Sequence, residues 1–325
     1  MGSGKSSILM GFLLAWMLSS LLSPLAEAAD RVVVIPMGSG GKPLQNIVTV
    51  AKSKGQFTDP VAAMNSITDA SFTNPYLLYI GPGQYTLTTA LAMKPFVNVT
   101  GSGEQVTWLI GNISSDAADE TSAIVKGANN AALSNLSVSN TGGGEYSIGI
   151  FTTGLDLTAR LENVSVYAKG GIANVGVMNL NYSSPMMTGL NIAVEGTGTQ
   201  VNVGIYNIIH SSPPILGVKI LVWGGQTAYG IVNNSFSVPL IEGSNIYAWD
   251  SSAFNVGILN AESNEVKIKR STISGTSIGL SNGGGSINTR VSQSTLINGA
   301  SGSGYTCIAT DNNLGQQYTI NCSLL

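Results

Sequence analysis

Apolar residues in the second half of the chain fall in short alternating runs broken by Gly, Asn and Ser, and one of these runs recurs. Its pattern is an apolar residue or Tyr, then Gly, an apolar residue, usually a variable residue, and Asn. Six copies stand at Ile148-Gly149-Ile150, Val175-Gly176-Val177-Met178-Asn179, Val203-Gly204-Ile205-Tyr206-Asn207, Tyr229-Gly230-Ile231-Val232-Asn233, Val256-Gly257-Ile258-Leu259-Asn260 and Ile278-Gly279-Leu280-Ser281-Asn282. By subtraction, the glycines are 27, 28, 26, 27 and 22 residues apart. Alternation between turn-forming residues predicts strands, with no helical period from about Val106 to Ile320. A fixed period of this size predicts a solenoid, whose units bury their apolar faces only against their neighbours.

A second family of strands lies between the copies: Leu133 to Val138, Leu161 to Tyr167, Leu190 to Val194, Val218 to Val222, Ser244 to Ala248, Val266 to Ile273 and Val291 to Ile297. Each period therefore carries at least two strands, with room for a third. If one period makes one turn, equivalent strands stack in parallel about 4.8 Å apart and every backbone group finds a partner above and below. The expected fold is all-β: a single right-handed parallel β-helix of nine or ten turns, about 45 Å long. A propeller needs about 40 residues per blade, too long for this period. The repeat glycines are expected at a tight bend or a close backbone approach. Asn179, Asn207, Asn233, Asn260 and Asn282 are expected at one corner as a structural ladder of stacked amides, where Asn tolerates left-handed backbone. A row of ligand-binding amides is the other reading.

Both ends of such a coil need covering. Thr58-Asp59-Pro60 is a helix start, and Val61, Ala62, Met64 and Ile67 give it one apolar face, so a capping helix is expected within about 44–70. At the other end Cys307 and Cys322 are expected to pair and tie down a tail over about 305–325; a metal pair or reactive thiol would want a third ligand or a nearby His. Residues 1–28 read as an export signal: Lys5, an apolar stretch from Ile8 to Leu22, and Ala26-Glu27-Ala28 as the cleavage site. A retained anchor is the alternative, although the stretch is short of the roughly 20 residues a span needs. The mature domain would be 29–325, secreted to the periplasm or beyond, with no membrane segment after cleavage. Gly2-Ser3-Gly4-Lys5-Ser6 lacks the first Gly of a phosphate loop and a preceding strand, and Met1-Gly2 with Ser6 competes with the export signal behind it.

Composition narrows the partners. Charged residues are 10% of the chain, against a usual value of about 25%, and the net charge is −3. With no basic run, a nucleic-acid partner is excluded. Low charge with 43% hydrophobic residues is the reverse of what disorder requires.

The segment from Val48 to Gly103 resembles the opening of the pectin methylesterase family. The resemblance is carried by Val50-Ala51-Lys52, Gly55-Gln56-Phe57-Thr58, the helix through Met64 and Ile67, Leu77-Leu78-Tyr79-Ile80-Gly81-Pro82-Gly83-Gln84-Tyr85 and Val97-Asn98-Val99-Thr100-Gly101-Ser102-Gly103. It implies a capping helix and the first turns of a pectin-lyase-like right-handed parallel β-helix. That family's paired aspartates, arginine and glutamines find no counterpart further on. The acids between Ala131 and Asn264 are Glu145, Asp156, Glu162, Glu195, Glu242, Asp250 and Glu262, with Arg160 the one arginine. The Gly-His-Gly of the related polygalacturonases is absent too, the sole histidine being His210, and no calcium-binding aspartates of the pectate-lyase kind are evident. The chain thus resembles a non-catalytic member of the β-helix superfamily.

His210, beside Pro213-Pro214, reads as a solvated turn residue rather than a general base. Glu162, Asp156 and Arg160 read as a surface ion-pair group. Tyr167, Tyr182, Tyr206, Trp223, Tyr229, Tyr247 and Trp249 recur at strand ends. Of these Tyr206, Trp223, Tyr229, Tyr247 and Trp249 are the candidate carbohydrate contacts, because flat rings on a charge-poor surface suit sugar faces; the alternative is that they pack at the coil's corners. No catalytic, metal-binding or cofactor-binding set is expected. Three functions follow: a secreted, non-enzymatic β-helix binding polysaccharide or a cell-surface partner; a carbohydrate esterase or lyase with rearranged catalytic residues; and a structural appendage or surface-layer subunit. No pattern fixes the oligomeric state.

Overall fold

A computed structural model describes residues 46–198, 200–262, 265–283 and 288–324. The export signal, its cleavage point after Ala28 and the start of the cap near 44 lie outside the described residues. Within them the chain winds as a right-handed parallel β-helix with three strand-bearing faces. Face 3 is a sheet of nine parallel strands, one per turn, running from Leu91–Ala92 to Ala300–Ser301. Faces 1 and 2 join into one continuous ladder: Ala132–Asn140 and Arg160–Ala168 each run through both faces. Later turns split this strand in two, as in Met186–Thr188 with Asn191–Gly196.

The register puts one aliphatic column inside each face. Face 1 stacks Leu78, Val99, Leu133, Leu161, Met187, Ile215, Ile241, Ile268, Val291 and finally Cys307. Face 2 stacks Val138, Val166, Ile192, Ile220, Ile246, Ile273 and Leu296. Face 3 stacks Leu91, Val125, Ile150, Val177, Ile205, Ile231, Ile258 and Leu280. All these side chains are buried, so the alternating pattern maps directly onto inside and outside.

The bend from face 1 to face 2 is made by one left-handed residue per turn: Asn135, Asn163, Gly189, Gly217, Gly243, Arg270 and Gln293. Gly and Asn adopt that geometry at least cost, and at Arg270 and Gln293 the turn holds an ordinary side chain in it. Here the structure departs from expectation, because none of the ladder asparagines lies in the left-handed region. They sit in extended strand, and other residues make the corners. Glycine placement is equally specific. The repeat Gly falls within the face-3 strand, not at a bend, and the ladder pairs skip it: Val175 pairs with Val203 and Val177 with Ile205. The Gly on each strand lies opposite the Gly of its neighbour and breaks the in–out alternation, so that Val175 faces outward and Val177 inward with no residue inserted. A Cβ on Gly204 would lie 2.3 Å from Ile220 Cγ2 and 2.5 Å from the Gly230 carbonyl oxygen. Close approach is the reason for glycine here.

Helix α1 (Pro60–Ser66) caps the first turn, with Asp59 accepting from the Val61 N–H at 2.8 Å. Its buried stripe is Pro60, Ala63, Met64 and Ile67. The expected stripe was one residue out of phase at Ala62, which is exposed. At the far end Cys307 and Cys322 are joined in a disulfide. The tail folds over the last strand, Tyr305–Ile308: the Cys307 N–H donates to the Ile320 carbonyl at 2.8 Å, and the Tyr318 hydroxyl to the Leu296 carbonyl at 2.9 Å.

Candidate functional site

The asparagine ladder runs inside face 3. Asn179 Nδ2 donates to Asn207 Oδ1, Asn207 to Asn233 and Asn233 to Asn260, each at 2.8 Å, and Asn260 to Asn282 at 3.1 Å. Thr152 Oγ1 donates to Asn179 Oδ1 at the lower end, and Asn282 Nδ2 donates to the Ser303 carbonyl at the upper. The first four asparagines are fully buried and Asn282 is 7% exposed. Amides so placed satisfy one another in the core and are closed to a ligand.

Chemistry reaches solvent on the outside of face 2. Three outward rows run along the axis there. One carries Ser165, Asn191 and Lys219, and the next carries Tyr167, Ala193, Leu221 and Tyr247. The third carries Glu195, Trp223 and Trp249. The loop 102–106 rises against this face from two turns below. It turns on left-handed Gly103 and Gln105, and the Gln105 N–H donates to Ser137 Oγ at 3.0 Å. The loop delivers Glu104, whose Oε2 accepts from Ser165 Oγ and, at 2.8 Å, from Asn191 Nδ2. A cleft of about 590 Å³ results, lined among others by Glu104, Trp108, Tyr167, Asn191, Lys219 and Leu221.

Tyr167 donates its hydroxyl to Glu195, and Lys169 Nζ lies 5.5 Å from its ring centroid. Burial first, then the bond to Glu195 and its charge, push the Tyr167 phenol well above its ordinary range. It therefore stays a donor at any physiological pH. Further along the axis Trp223 and Trp249 stack with centroids 5.5 Å apart and planes 17° from parallel. Both are half-buried, as is Tyr247 beside them. Each indole covers one face of the other. In the turn beyond Trp249 the backbone places exposed Thr276, so no further ring continues the stack on that side.

The five aromatic candidates do not form one row. Trp223, Tyr247 and Trp249 share face 2, whereas Tyr206 and Tyr229 point outward from face 3 among Met178, Val203, Val232 and Val256. A third group sits at the bend leaving face 3. There His210 is sandwiched between Tyr182 and Phe236, at centroid distances of 4.9 and 5.4 Å. The expected solvated turn histidine is thus the middle rung of an exposed ring stack. Arg160 pairs with Glu162 at 3.4 Å on the surface, and Asp156 accepts from the Thr158 hydroxyl and then from its N–H, which together lower the Asp156 pKa.

Sequence reasoning missed Glu104, Trp108 and the Tyr182–His210–Phe236 stack. The stack was findable, since its members are separated by the same 28 and 26 residues as Asn179, Asn207 and Asn233. Glu104 was not, because it reaches face 2 by a loop that crosses turns. Among the described residues no three His, Cys, Asp or Glu gather as a metal site.

The chain matches no family model and no curated protein. Among solved structures it is similar to pectin methylesterase PemA from Erwinia chrysanthemi, at 10% identity over 88% of this chain and 94% of that one, with a TM-score of 0.45. Pectin methylesterase from carrot gives 13% identity, 86% and 85% coverage, and 0.46. The A-module of mannuronan C-5 epimerase AlgE6 from Azotobacter vinelandii gives 16%, 78% and 71%, and 0.46. With scores below 0.5 the likeness adds nothing to the strand register and says nothing of activity. By its own register and outer faces the chain is a parallel β-helix with one polar, aromatic flank.

Proposed function

We propose that this protein is an exported β-helix that binds polysaccharide along face 2 without turning it over. The observation that carries the reading is the half-exposed Trp223–Trp249 stack in line with the Glu104–Tyr167 cleft. Aromatic rings offer apolar faces to the C–H side of a sugar. Asn191, Lys219, Glu104 and the Tyr167 hydroxyl supply hydrogen-bonding groups in the same strip. Export is supported by the leader-like residues 1–28 and by the disulfide, which persists in oxidising compartments. Among the described residues no helix is long and apolar enough to cross a membrane.

A catalytic reading would rest on Glu104 and Glu195, the two carboxylates of this strip. Glu104 is held by Ser165 and Asn191 and Glu195 by Tyr167, an arrangement that keeps both as acceptors. The purified protein should be retained on a polysaccharide array and release no methanol, acetate or unsaturated sugar. Replacing Trp223 and Trp249 with Ala should weaken retention about ten-fold or more, a loss of roughly 1.4 kcal/mol, while leaving the fold intact by circular dichroism. Unchanged retention in that variant would refute the binding strip. Product release that stops with Glu104→Gln would replace binding by catalysis.

A further inference from the structure

The last turns of the coil carry a charge unlike the rest of the chain. The sequence as a whole has a net charge of −3, yet from Val266 to Thr310 it holds four cations and no acid. Register gathers them on the outside of face 1. Lys267 lies directly opposite Arg290 on the next strand, both are exposed, and Lys269 stands two residues along the first strand. Like charges facing each other across a ladder are destabilising, so the fold itself gains nothing from this placement. Two acids border the group and both are engaged: Glu242 pairs with Arg270, and Glu265 lies 3.5 Å from Lys267. Directly beyond the cations the tail is apolar on its outside as well as its inside. Tyr318 and Cys322 alternate inward and are buried, whereas Ile320 and Leu324 alternate outward, Ile320 being 65% exposed. Leu314, in the turn 312–316, is 77% exposed, and exposed Ile308 stands on the last strand one place above Ser292. The disulfide and the bond from the Cys307 N–H to the Ile320 carbonyl hold the tail in this position. Exposed aliphatic residues are ordinary when scattered singly; gathered at one end they mark a contact surface.

We infer that this end of the coil docks on an anionic lipid surface, with the aliphatic side chains of the tail in the headgroup layer and the face-1 cations against lipid phosphates. The spacing argues for that occupant. Arg290 stands one turn and Lys267 two turns behind the last strand, about 5 and 10 Å at the strand spacing. Apolar side chains of interfacial segments sink about 5–10 Å into the boundary between headgroups and acyl chains. Cations set back by that distance from an inserted end fall at the level of the phosphates. A soluble polyanion would use the cations and leave Leu314 and Ile320 in water, and a neutral apolar partner would leave the cations unmatched. A surface charged at its outside and apolar within satisfies both. The contact is peripheral and needs no spanning segment. It also lies apart from face 2, so it stands or falls independently of the polysaccharide reading.

The test is flotation of the full-length chain with vesicles of phosphatidylcholine alone and of equal parts phosphatidylcholine and phosphatidylglycerol, each variant being checked for folding by circular dichroism. The wild type should float with the anionic vesicles, and raised salt should weaken that binding. Lys267→Ser combined with Arg290→Ser should weaken it about thirty-fold, since each cation near an anionic surface contributes about a factor of five. Leu314→Ser should weaken it about ten-fold, at a side chain too exposed to matter to the fold. Lys54→Asn removes an exposed cation near the other end, in left-handed backbone that Asn adopts readily, and should change nothing. Equal flotation of the wild type and the double variant, as the apolar residues 8–22 alone would produce, would overturn the proposal. So would equal binding to the uncharged vesicles. Failure to float with either vesicle would overturn it too, and retention on heparin that is lost in the double variant would then assign the cations to a soluble polyanion.

Discussion

Faces 2 and 3 are built alike on the inside and oppositely on the outside. Inward, both present a column of Val, Ile and Leu at the same spacing. Outward, face 2 carries Glu104, Tyr167, Glu195, Lys219 and two stacked tryptophans, whereas the face-3 strands from Tyr146 onward carry no charge at all. The fold constrains one side of each strand and leaves the other to vary. Residues that repeat at every turn are therefore expected to hold the coil together, and residues that interrupt the repeat are expected to meet partners.

That contrast breaks most sharply at a repeat glycine. Gly204→Val would place a Cβ against Ile220 and the Gly230 carbonyl, backbone and core that cannot both move. Overpacking at this close approach should cost about 3 kcal/mol or more, and soluble, folded protein at normal yield would contradict the close approach. Asn207→Leu comes next. It removes a donor to Asn233 and an acceptor for Asn179 in a dry core, and leaving buried polar groups unmet costs about 1–3 kcal/mol each. Urea unfolding should show a loss of about 3 kcal/mol or more, against almost none for a change such as Asn191→Ala on face 2.

The C-terminal cap tests whether an end matters as much as the repeat. Cys307→Ser opens a loop with a separation of 15 residues, worth about 3 kcal/mol in the chain-entropy model, and it also leaves a polar hydroxyl at the end of the face-1 column. Thermal unfolding should fall by several degrees. Tyr305, in the same last turn, gives a pH signature. Burial pushes its phenol up to about 12, from an ordinary value of 10.0. Because the folded value is the higher one, its contribution is fully present below pH 10 and is lost as pH rises through 12. Alkaline unfolding should therefore steepen from pH 10 upward, and Tyr305→Phe should flatten that slope.

How far the sequence could be read follows the same division. The solenoid, its period, the inward columns, the capping helix and the cysteine pairing were legible because each depends on local pattern or on repetition. Two details were not. The corners belong to Asn163, Gly189 and Gly217 rather than to the ladder asparagines, since inside and corner asparagines look alike until strands are registered. The helix stripe was misplaced by one residue because Ala62 and Ala63 are equivalent to any hydrophobicity pattern. On the outside, repetition gave the Trp223–Trp249 pair but not its separation from Tyr206 and Tyr229, which depends on the face each strand occupies. Glu104 was hidden altogether, since its partners Ser165 and Asn191 are 61 and 87 residues away and follow no period.

Glu104→Gln is the mildest change and the sharpest test of the outer strip. The amide keeps the size of the side chain and an oxygen for Ser165 or Asn191, so it loses only the charge from bonds that are about twice as strong when ionised. The side chain is partly exposed, and stability should fall by no more than about 1 kcal/mol. If face 2 is a binding strip, retention of neutral glycans should change little and retention of acidic ones should rise, because a carboxylate that repels them is gone. If the melting temperature instead collapses, Glu104 is a structural tether for the 102–106 loop, and the cleft loses its standing as the variable, partner-facing side of the coil.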